Sequence, residues 1–229
     1  AVGLGGRVPV LSVRWGAKLE LNADFTIRNG LGLHKSALLA EYAAIDPRLG
    51  DLVRLVKHWA RCRGVYGQPH GHLGGYAFTL LSVFYVQCTH PRLVPSLQML
   101  ALAPKIWSDE AGIRFNVAWA SWRAGQGRRC SRLGAEEAKP RLPSAAVLFR
   151  GFFAFYGGRC FDFGREVACV RLGHRALRSA ALAEDHTVVP DFAVARGARL
   201  SLEDPIETCW DLGQILSPRR AARLRAEFR

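Results

Sequence analysis

The sequence has no long run of apolar residues, although 49% of its 229 residues are hydrophobic. A membrane-spanning helix needs about 20 consecutive apolar residues, so we expect no membrane partner. Acidic residues are also scarce: 19 Asp and Glu face 32 Lys and Arg, which leaves a formal net charge of +13. An excess of positive charge on this scale is typical of proteins that bind nucleic acid or nucleotide phosphates.

The cysteines show no C-x-x-C pair and no other spacing that would hold a zinc ion. We therefore interpret them as reduced thiols of an intracellular protein. His70 and His72 form an H-x-H motif, but no cysteine lies near them to complete a metal site. A surface loop is the preferred interpretation of this motif.

Two segments near the amino terminus have the composition of β-strands. One covers residues 8–13, and the other, residues 19–27, alternates apolar and polar side chains with a period of two. Asp24 lies on the polar side of this alternation, so its carboxylate should face away from the core.

From Asn29 onwards the pattern becomes helical. Helices are predicted over residues 34–45, 47–63, 76–86, 145–156 and 218–229, a strand over 161–170, and irregular structure over 100–143. The second helix begins with Asp46 as a cap and Pro47 at its first position. Within it, Lys57 and Arg61 are four residues apart, so their side chains should emerge together.

The segment from Ser201 to Gly213 has the most distinctive composition. Glu203, Asp204 and Glu207 surround a proline, and Trp210 follows them. Because a proline fixes its own φ and keeps the preceding residue out of helical geometry, this segment should be a shaped loop. Carboxylates and an aromatic ring are what a pocket uses to recognise the polar edge of a flat ring. An acidic turn that caps a helix is the alternative interpretation.

Six motifs, in this order, resemble those of the terminal uridylyltransferases and non-canonical poly(A) polymerases. They are Asp24 on a strand, V-K-H-W-A-R-C-R at 56–63, L-G-G-Y at 73–76, G-F-F-A-F-Y at 151–156, E-D-P at 203–205 and R-A-E-F at 225–228. The resemblance implies an α+β fold. A partial nucleotidyltransferase palm sheet would occupy residues 1–30. A mostly helical, poly(A)-polymerase-like domain would occupy residues 31–229, with a PAP-associated region at about 145–205 and a variable insertion at about 100–143.

The function implied by the resemblance is RNA 3′-terminal nucleotidyl transfer from UTP or ATP with Mg²⁺ (or Mn²⁺). Asp24 matches the third of three family aspartates, so it is the expected catalytic and metal-binding residue. The other two, a D-x-D pair behind a Gly-Ser turn, have no counterpart in the sequence, and one carboxylate cannot hold two such cations. We therefore expect an inactive chain, either amino-terminally truncated or a degenerate relative, and we prefer truncation.

The resemblance also assigns nucleotide-binding residues. Lys57 and Arg61 match the two basic residues that the family places against the β- and γ-phosphates. Tyr76 matches a residue whose ring stacks on the base of the nucleotide. Asn29 matches a neighbour of the sugar, whereas Asp204 and Glu207 match the wall of the base pocket. The alternatives are a solvated basic face for Lys57 and Arg61, a core aromatic residue for Tyr76 and a turn residue for Asn29.

Three positions depart from the family pattern. Gly75 replaces a serine that contacts phosphate, although its backbone N–H could serve instead. Lys35 replaces an asparagine at the ribose. Trp210 replaces a histidine found in uridylyl-transferring relatives, and its ring N–H can donate a hydrogen bond but never accept one.

Addition of UMP from UTP is favoured over addition of AMP from ATP, because the E-T-x-x-D-L-G pattern at 207–213 looks more like that of uridylyltransferases. The first alternative is an inactive RNA-binding or scaffold relative. A 2′-5′ oligoadenylate synthetase-like enzyme fits the E-D-P loop poorly. Arginines of the tail and of residues 114–132 could guide RNA. We expect an RNA 3′ end and no DNA as partner, a monomer, and a cytoplasmic location, with the nucleus and mitochondrion left open.

Overall fold

The computed structural model describes residues 2–3, 10–16, 21–27, 29–101, 107–110, 113–122, 142–158, 160–177, 200–208 and 210–229. These residues form a mixed helix and sheet structure in which helices predominate. The α+β fold class predicted from the sequence is therefore confirmed. Among the described helices, none combines the length and the apolar character that crossing a bilayer requires.

The amino-terminal residues form an antiparallel sheet of three strands, β1 (Val2–Gly3), β2 (Val10–Trp15) and β3 (Leu21–Thr26). The strand β3 lies within the predicted range 19–27, whereas β2 extends to Trp15, two residues beyond the end predicted for the first strand. Ser12 and Asp24 face each other in the register, and the Ser12 hydroxyl donates to Asp24 Oδ1 at 2.6 Å. The Asp24 side chain is exposed, as predicted, but Phe25 and Ile27 on the apolar side of the alternation are exposed too, so the structure does not bury that side.

The α-helices whose bounds lie within the described residues are α1 (Gly30–Ala43), α2 (Pro47–Cys62), α3 (Gly75–Thr89), α4 (Ala145–Gly157) and α5 (Pro218–Glu227). Helix α1 begins four residues before its predicted start because the Asn29 side chain accepts a hydrogen bond from Gly32 N at 2.9 Å and caps it. Helix α2 begins as predicted, since Asp46 Oδ1 accepts from Arg48 N at 2.9 Å. Helix α3 is buried on all sides along residues 77–87, so it is the centre of the domain.

Aromatic rings hold α2, α4 and α5 together. Phe228, directly after α5, is 1% exposed and stacks on Trp59 of α2 with ring centroids 5.5 Å apart. Its ring also meets Phe152 of α4 at 5.7 Å and Tyr156 at 5.4 Å. The R-A-E-F motif of the tail therefore supplies a core residue of this domain.

The structure corrects two secondary-structure predictions. Within the segment predicted to be irregular, β4 (Trp107–Glu110) and β5 (Ile113–Asn116) form a hairpin, and Phe115 is buried. Residues 102–106, 111–112 and 123–141 of that segment lie outside the described residues. The strand predicted over 161–170 is short: β6 (Glu166–Ala168) follows a turn closed by the Asp162 carboxylate and pairs with β7 (Ala176–Leu177) and β8 (Ser201–Leu202).

Candidate functional site

The acidic segment after β8 is a shaped loop, as Pro205 predicted. The Asp204 carboxylate is fully buried, and its Oδ1 accepts hydrogen bonds from Ile206 N at 3.0 Å and Glu207 N at 3.2 Å. The backbone closes on itself, because Asp204 N donates to Trp210 O and Trp210 N donates to Glu207 O. We call residues 203–210 the acidic loop.

The acidic loop is anchored to β8 by the residues that follow it. Asp211 Oδ1 accepts from Leu202 N at 2.9 Å and from Gly213 N at 2.7 Å. A Cβ atom at position 213 would overlap the carbonyl oxygen of Leu200, so only glycine fits there. Close backbone packing at Gly213 thus sets the position of the loop.

Lys35 of α1 is the counter-ion of two carboxylates of the acidic loop. Its ammonium lies 2.6 Å from Asp204 Oδ2 and 2.6 Å from Glu207 Oε2, to which it donates a hydrogen bond. The lysine side chain is 19% exposed, and the carboxylates are 0% and 2% exposed. Burial raises the pKa of Asp204, and the positive charge of Lys35 opposes that rise. Sequence reasoning identified Lys35 only as a replaced asparagine and missed this pairing.

Tyr76, the second residue of α3, connects to the same cluster. Its hydroxyl donates to Asp204 Oδ1 at 3.3 Å, and Lys35 Nζ lies 5.3 Å from the centre of its ring. Burial, together with the negative charges of Asp204 and Glu207, raises the pKa of Tyr76 far above its usual value, so the phenol stays a neutral donor. The ring is half-buried at the edge of the core.

The first turn of α3 meets Lys57 of α2. No side chain caps this helix end at Gly74, so its first N–H groups are available to an anion. A Cβ atom at Gly75 would lie 3.6 Å from Lys57 Cε and 2.7 Å from the Tyr66 hydroxyl. Glycine therefore makes room for Tyr66 and brings Lys57 close to the helix start. Burial and the nearby Arg61 charge lower the pKa of Lys57.

Arg61 lies on the same face of α2 as Lys57, as the four-residue spacing predicted. Its guanidinium sits over the Tyr66 ring, 4.5 Å from the ring centre, and donates to the Tyr66 hydroxyl at 3.2 Å. The side chain is otherwise exposed. Tyr66 thus links Arg61 to the position that Gly75 occupies.

The structure brings most of the predicted site residues into one chain of contacts. These are Lys57, Gly75, Tyr76, Asp204 and Glu207, joined by Lys35. Trp210 belongs to the acidic loop, and its side chain is 36% exposed. Their roles in binding stay predictions.

Two predicted residues have other contacts. Asn29 caps α1, and its amide also donates to Thr26 Oγ1 at 3.4 Å, which agrees with its interpretation as a turn residue. The hydrogen bond described for Asp24 is the one with Ser12 on β2, outside this chain of contacts. In the part of the chain that the structure describes, no three His, Cys, Asp or Glu side chains are grouped as a metal site. Asp24 and its neighbour Ser12 therefore do not by themselves fit the two-ion site that the resemblance implies.

Comparisons with known proteins give the relatives of this chain. No protein-family model matches it. Terminal uridylyltransferase cid1 of Schizosaccharomyces pombe is 26% identical over 231 residues, which are 97% of this chain and 53% of that protein. Poly(A) RNA polymerase gld-2 of Caenorhabditis elegans is 24% identical over 176 residues, which are 76% of this chain and 15% of that protein.

A solved structure of Cid1, described as an RNA terminal uridylyl transferase, superposes with a TM-score of 0.71 at 26% identity. The match covers 100% of this chain and 64% of the Cid1 chain. The chain thus spans about half the length of terminal uridylyltransferase cid1 and less of the other relative. It is homologous to the terminal uridylyltransferases and the non-canonical poly(A) polymerases, and it has the fold of the Cid1 polymerase.

Proposed function

We propose that this chain binds a nucleoside triphosphate for RNA 3′-terminal nucleotidyl transfer and prefers UTP to ATP. One observation carries the proposal. The helix start at Gly75, with Lys57 beside it, is adjacent in sequence to Tyr76, whose hydroxyl bonds to the acidic loop. A cationic end and an acidic, aromatic end therefore meet at one point. A nucleotide has the matching arrangement, with anionic phosphates at one end and a flat base at the other.

Each part of the cluster would act on one part of the nucleotide. The Lys57 ammonium and the N–H groups of the α3 start attract the phosphates, because both present positive charge at the same place. Arg61 adds a planar fork that suits phosphate oxygens. The Tyr76 ring offers a face for stacking on the base. Lys35 lies between this ring and Glu207, because its ammonium is close to both.

Transfer itself is proposed to require Mg²⁺ or Mn²⁺ and residues that precede this chain. Structures of Cid1 were solved with MgATP and with MgGTP bound. Asp24 and the hydroxyl of Ser12 offer too few oxygen ligands for such an ion. A Gly-Ser turn and a D-x-D pair upstream of Ala1 would supply what is lacking, so we expect this chain alone to bind nucleotide without extending RNA.

The phosphate part of the proposal predicts a loss of affinity in two variants. Lys57→Ala and Arg61→Ala should each weaken UTP binding by about 1.5–3 kcal/mol, with exposed Arg61 at the lower end, because each removes a charged hydrogen bond. Isothermal titration calorimetry on the chain measures the effect. Arg54→Ala is the matched control. Arg54 is an exposed basic residue of the same helix, and its side chain pairs with Asp51. Unchanged affinity in both variants would assign Lys57 and Arg61 to a solvated surface.

The base part of the proposal predicts a change of preference in Trp210→His. A histidine can accept as well as donate a hydrogen bond, whereas tryptophan only donates, so the ratio of UTP to ATP affinity should rise. Competition binding with both nucleotides measures the ratio. Trp15→His on β2, where the tryptophan is 79% exposed, is the control and should leave the ratio unchanged. The same ratio in Trp210→His as in the unsubstituted chain would show that position 210 does not contact the base.

The absence of a complete metal site in the described residues favours one alternative, an inactive RNA-binding or scaffold relative. A primer-extension assay separates the two functions. A longer protein in which a Gly-Ser turn and a D-x-D pair precede this chain is mixed with labelled RNA, each ribonucleotide in turn, and Mg²⁺ or Mn²⁺. Extension with UTP above ATP supports the proposal. No extension under any of these conditions, with UTP still bound, supports the alternative.

A further inference from the structure

A second group of basic side chains surrounds the loop between α2 and α3. Arg220 and Arg223 are three residues apart on α5 and point to this loop. Gly71 has a φ of +67°, and a Cβ atom there would lie 2.6 Å from Arg220 Nη1, so the guanidinium lies against the glycine backbone. Arg223 Nη2 donates to the carbonyl oxygen of Arg63 at 2.9 Å. Arg220, Arg223, His70 and His72 form what we call the α5 basic site.

His72 gives this site an unsatisfied polar group. The H-x-H motif was predicted to lie on the surface, but His72 is only 8% exposed, although His70 is exposed. The Nδ1 atom of His72 is buried and has no hydrogen-bond partner among the described residues. Burial and the positive charges of Arg220, Arg223 and His70 lower the pKa of His72. Because these positive charges disfavour the protonated imidazole, an anion bound among them would oppose that effect.

The two arginines of the α5 basic site differ from the neighbouring Arg63 in having no acidic partner within the described residues. Arg63 pairs with Glu227, with Arg63 Nε 2.5 Å from Glu227 Oε2. Within the described residues, Arg220 and Arg223 have no carboxylate partner, and both are exposed. Because like charges held close together repel one another, an anion is the ligand that would stabilise this arrangement.

We propose that the α5 basic site binds phosphate groups of the RNA backbone. Guanidinium forks match phosphate oxygens in geometry and charge. Arg220 and Arg223 lie one turn apart on an exposed face of α5, which an RNA strand can approach. The site also adjoins the nucleotide site, because the Gln68 side chain of the same loop lies 3.2 Å from a Cβ position at Gly74, the residue before α3. Only the choice of RNA as the source of phosphate rests on the proposed function.

The test compares RNA binding by the double variant Arg220→Ala/Arg223→Ala with that of the unsubstituted chain. Fluorescence anisotropy with a short labelled single-stranded RNA should show a loss of affinity of about tenfold, as expected for two solvent-exposed ion pairs, which are weaker than buried ones. The slope of log affinity against log salt concentration should become shallower by about 1.4, since each phosphate contact of a single strand contributes about 0.7. The control, Arg150→Ala/Arg165→Ala, removes two exposed arginines elsewhere and the same charge. It should change affinity by less than about threefold.

A second measurement distinguishes RNA from nucleotide as the source of phosphate. UTP affinity of the double variant, measured by calorimetry, should stay within about twofold of the unsubstituted chain, because the contacts of Arg220 and Arg223 are with Gly71 and Arg63 and not with the residues proposed to hold the triphosphate. Equal losses of UTP and RNA binding would make the arginines part of the triphosphate site and overturn the proposal. So would a double variant that binds RNA as well as the control. If the unsubstituted chain binds RNA through these arginines but does not bind UTP, the proposed function is contradicted and the α5 basic site is still supported.

Arg223 also bonds to backbone, so the double variant is checked for folding by circular dichroism. If it does not fold, the unsubstituted chain provides the test through the side-chain NMR signals of His70 and His72. Added RNA should shift both signals, and the shift should disappear at high salt. Signals that stay in place when RNA is bound would rule out the α5 basic site.

Discussion

Replacing Lys35 by methionine should lower the free energy of unfolding by about 3–5 kcal/mol, because it leaves two buried carboxylates without their counter-ion. The Lys35 ammonium lies 2.6 Å from both Asp204 and Glu207, and these acids are at most 2% exposed. Methionine keeps much of the lysine shape and removes the charge. Urea denaturation at pH 7 measures the loss. Arg54→Met, which breaks an exposed ion pair with Asp51, should cost less than about 1 kcal/mol.

The same variant has a predicted pH dependence. Burial already raises the pKa of Asp204 in the folded chain, and removal of Lys35 raises it further. A carboxyl group whose pKa is higher in the folded than in the unfolded state loses stability as the pH rises through that value. The deficit of Lys35→Met relative to the unsubstituted chain should therefore shrink as the pH falls from about 7 to about 5. A deficit below about 1 kcal/mol, or one that is equal at both pH values, would show that Lys35 is not the counter-ion.

Phe228→Ala should lower the free energy of unfolding by about 3–5 kcal/mol, the range for truncating a fully buried phenylalanine. Phe228 is 1% exposed, and its ring contacts Trp59, Phe152 and Tyr156 on two other helices. The cavity would separate α5 from α2 and α4, because this ring is where the three helices meet. Urea denaturation again measures the effect.

Phe25→Ala on β3 is the matched control for Phe228→Ala. The Phe25 side chain is 58% exposed, so its truncation should change stability by about 0.5 kcal/mol or less. Phe228→Leu should fall between the two, since it keeps an apolar side chain in the site. A cost below about 1.5 kcal/mol for Phe228→Ala would mean that the tail is not part of the core.

The helices with strong local signals could be predicted from the sequence. Asp46 and Pro47 mark the start of α2, and the predicted range 145–156 closely matches α4. The start of α1 could not be predicted, because Gly30 and Gly32 have low helix propensity and conceal the first turn. The two-residue strands were also missed, since a period of two cannot be recognised in so short a segment.

Individual members of the candidate site could be predicted, but their partners could not. Lys35 and Glu207 are 172 residues apart in the sequence, so no local pattern joins them. The resemblance described above gave a signal at Lys35, because it implies an asparagine at that position, but it named no partner for the lysine. His72 gave no local signal of burial either, because Arg220, which lies beside it, comes from the far end of the chain.

The backbone contact at Gly213 separates two properties of the acidic loop. The position of the loop depends on main-chain proximity to Leu200, which any larger residue at 213 would disrupt. Trp210, in contrast, closes the loop through its N–H and carbonyl groups, which every amino acid except proline can supply. If the proposed function holds, position 210 is therefore where a substitution should alter base selectivity, because the loop closure that places this residue is made by its backbone groups.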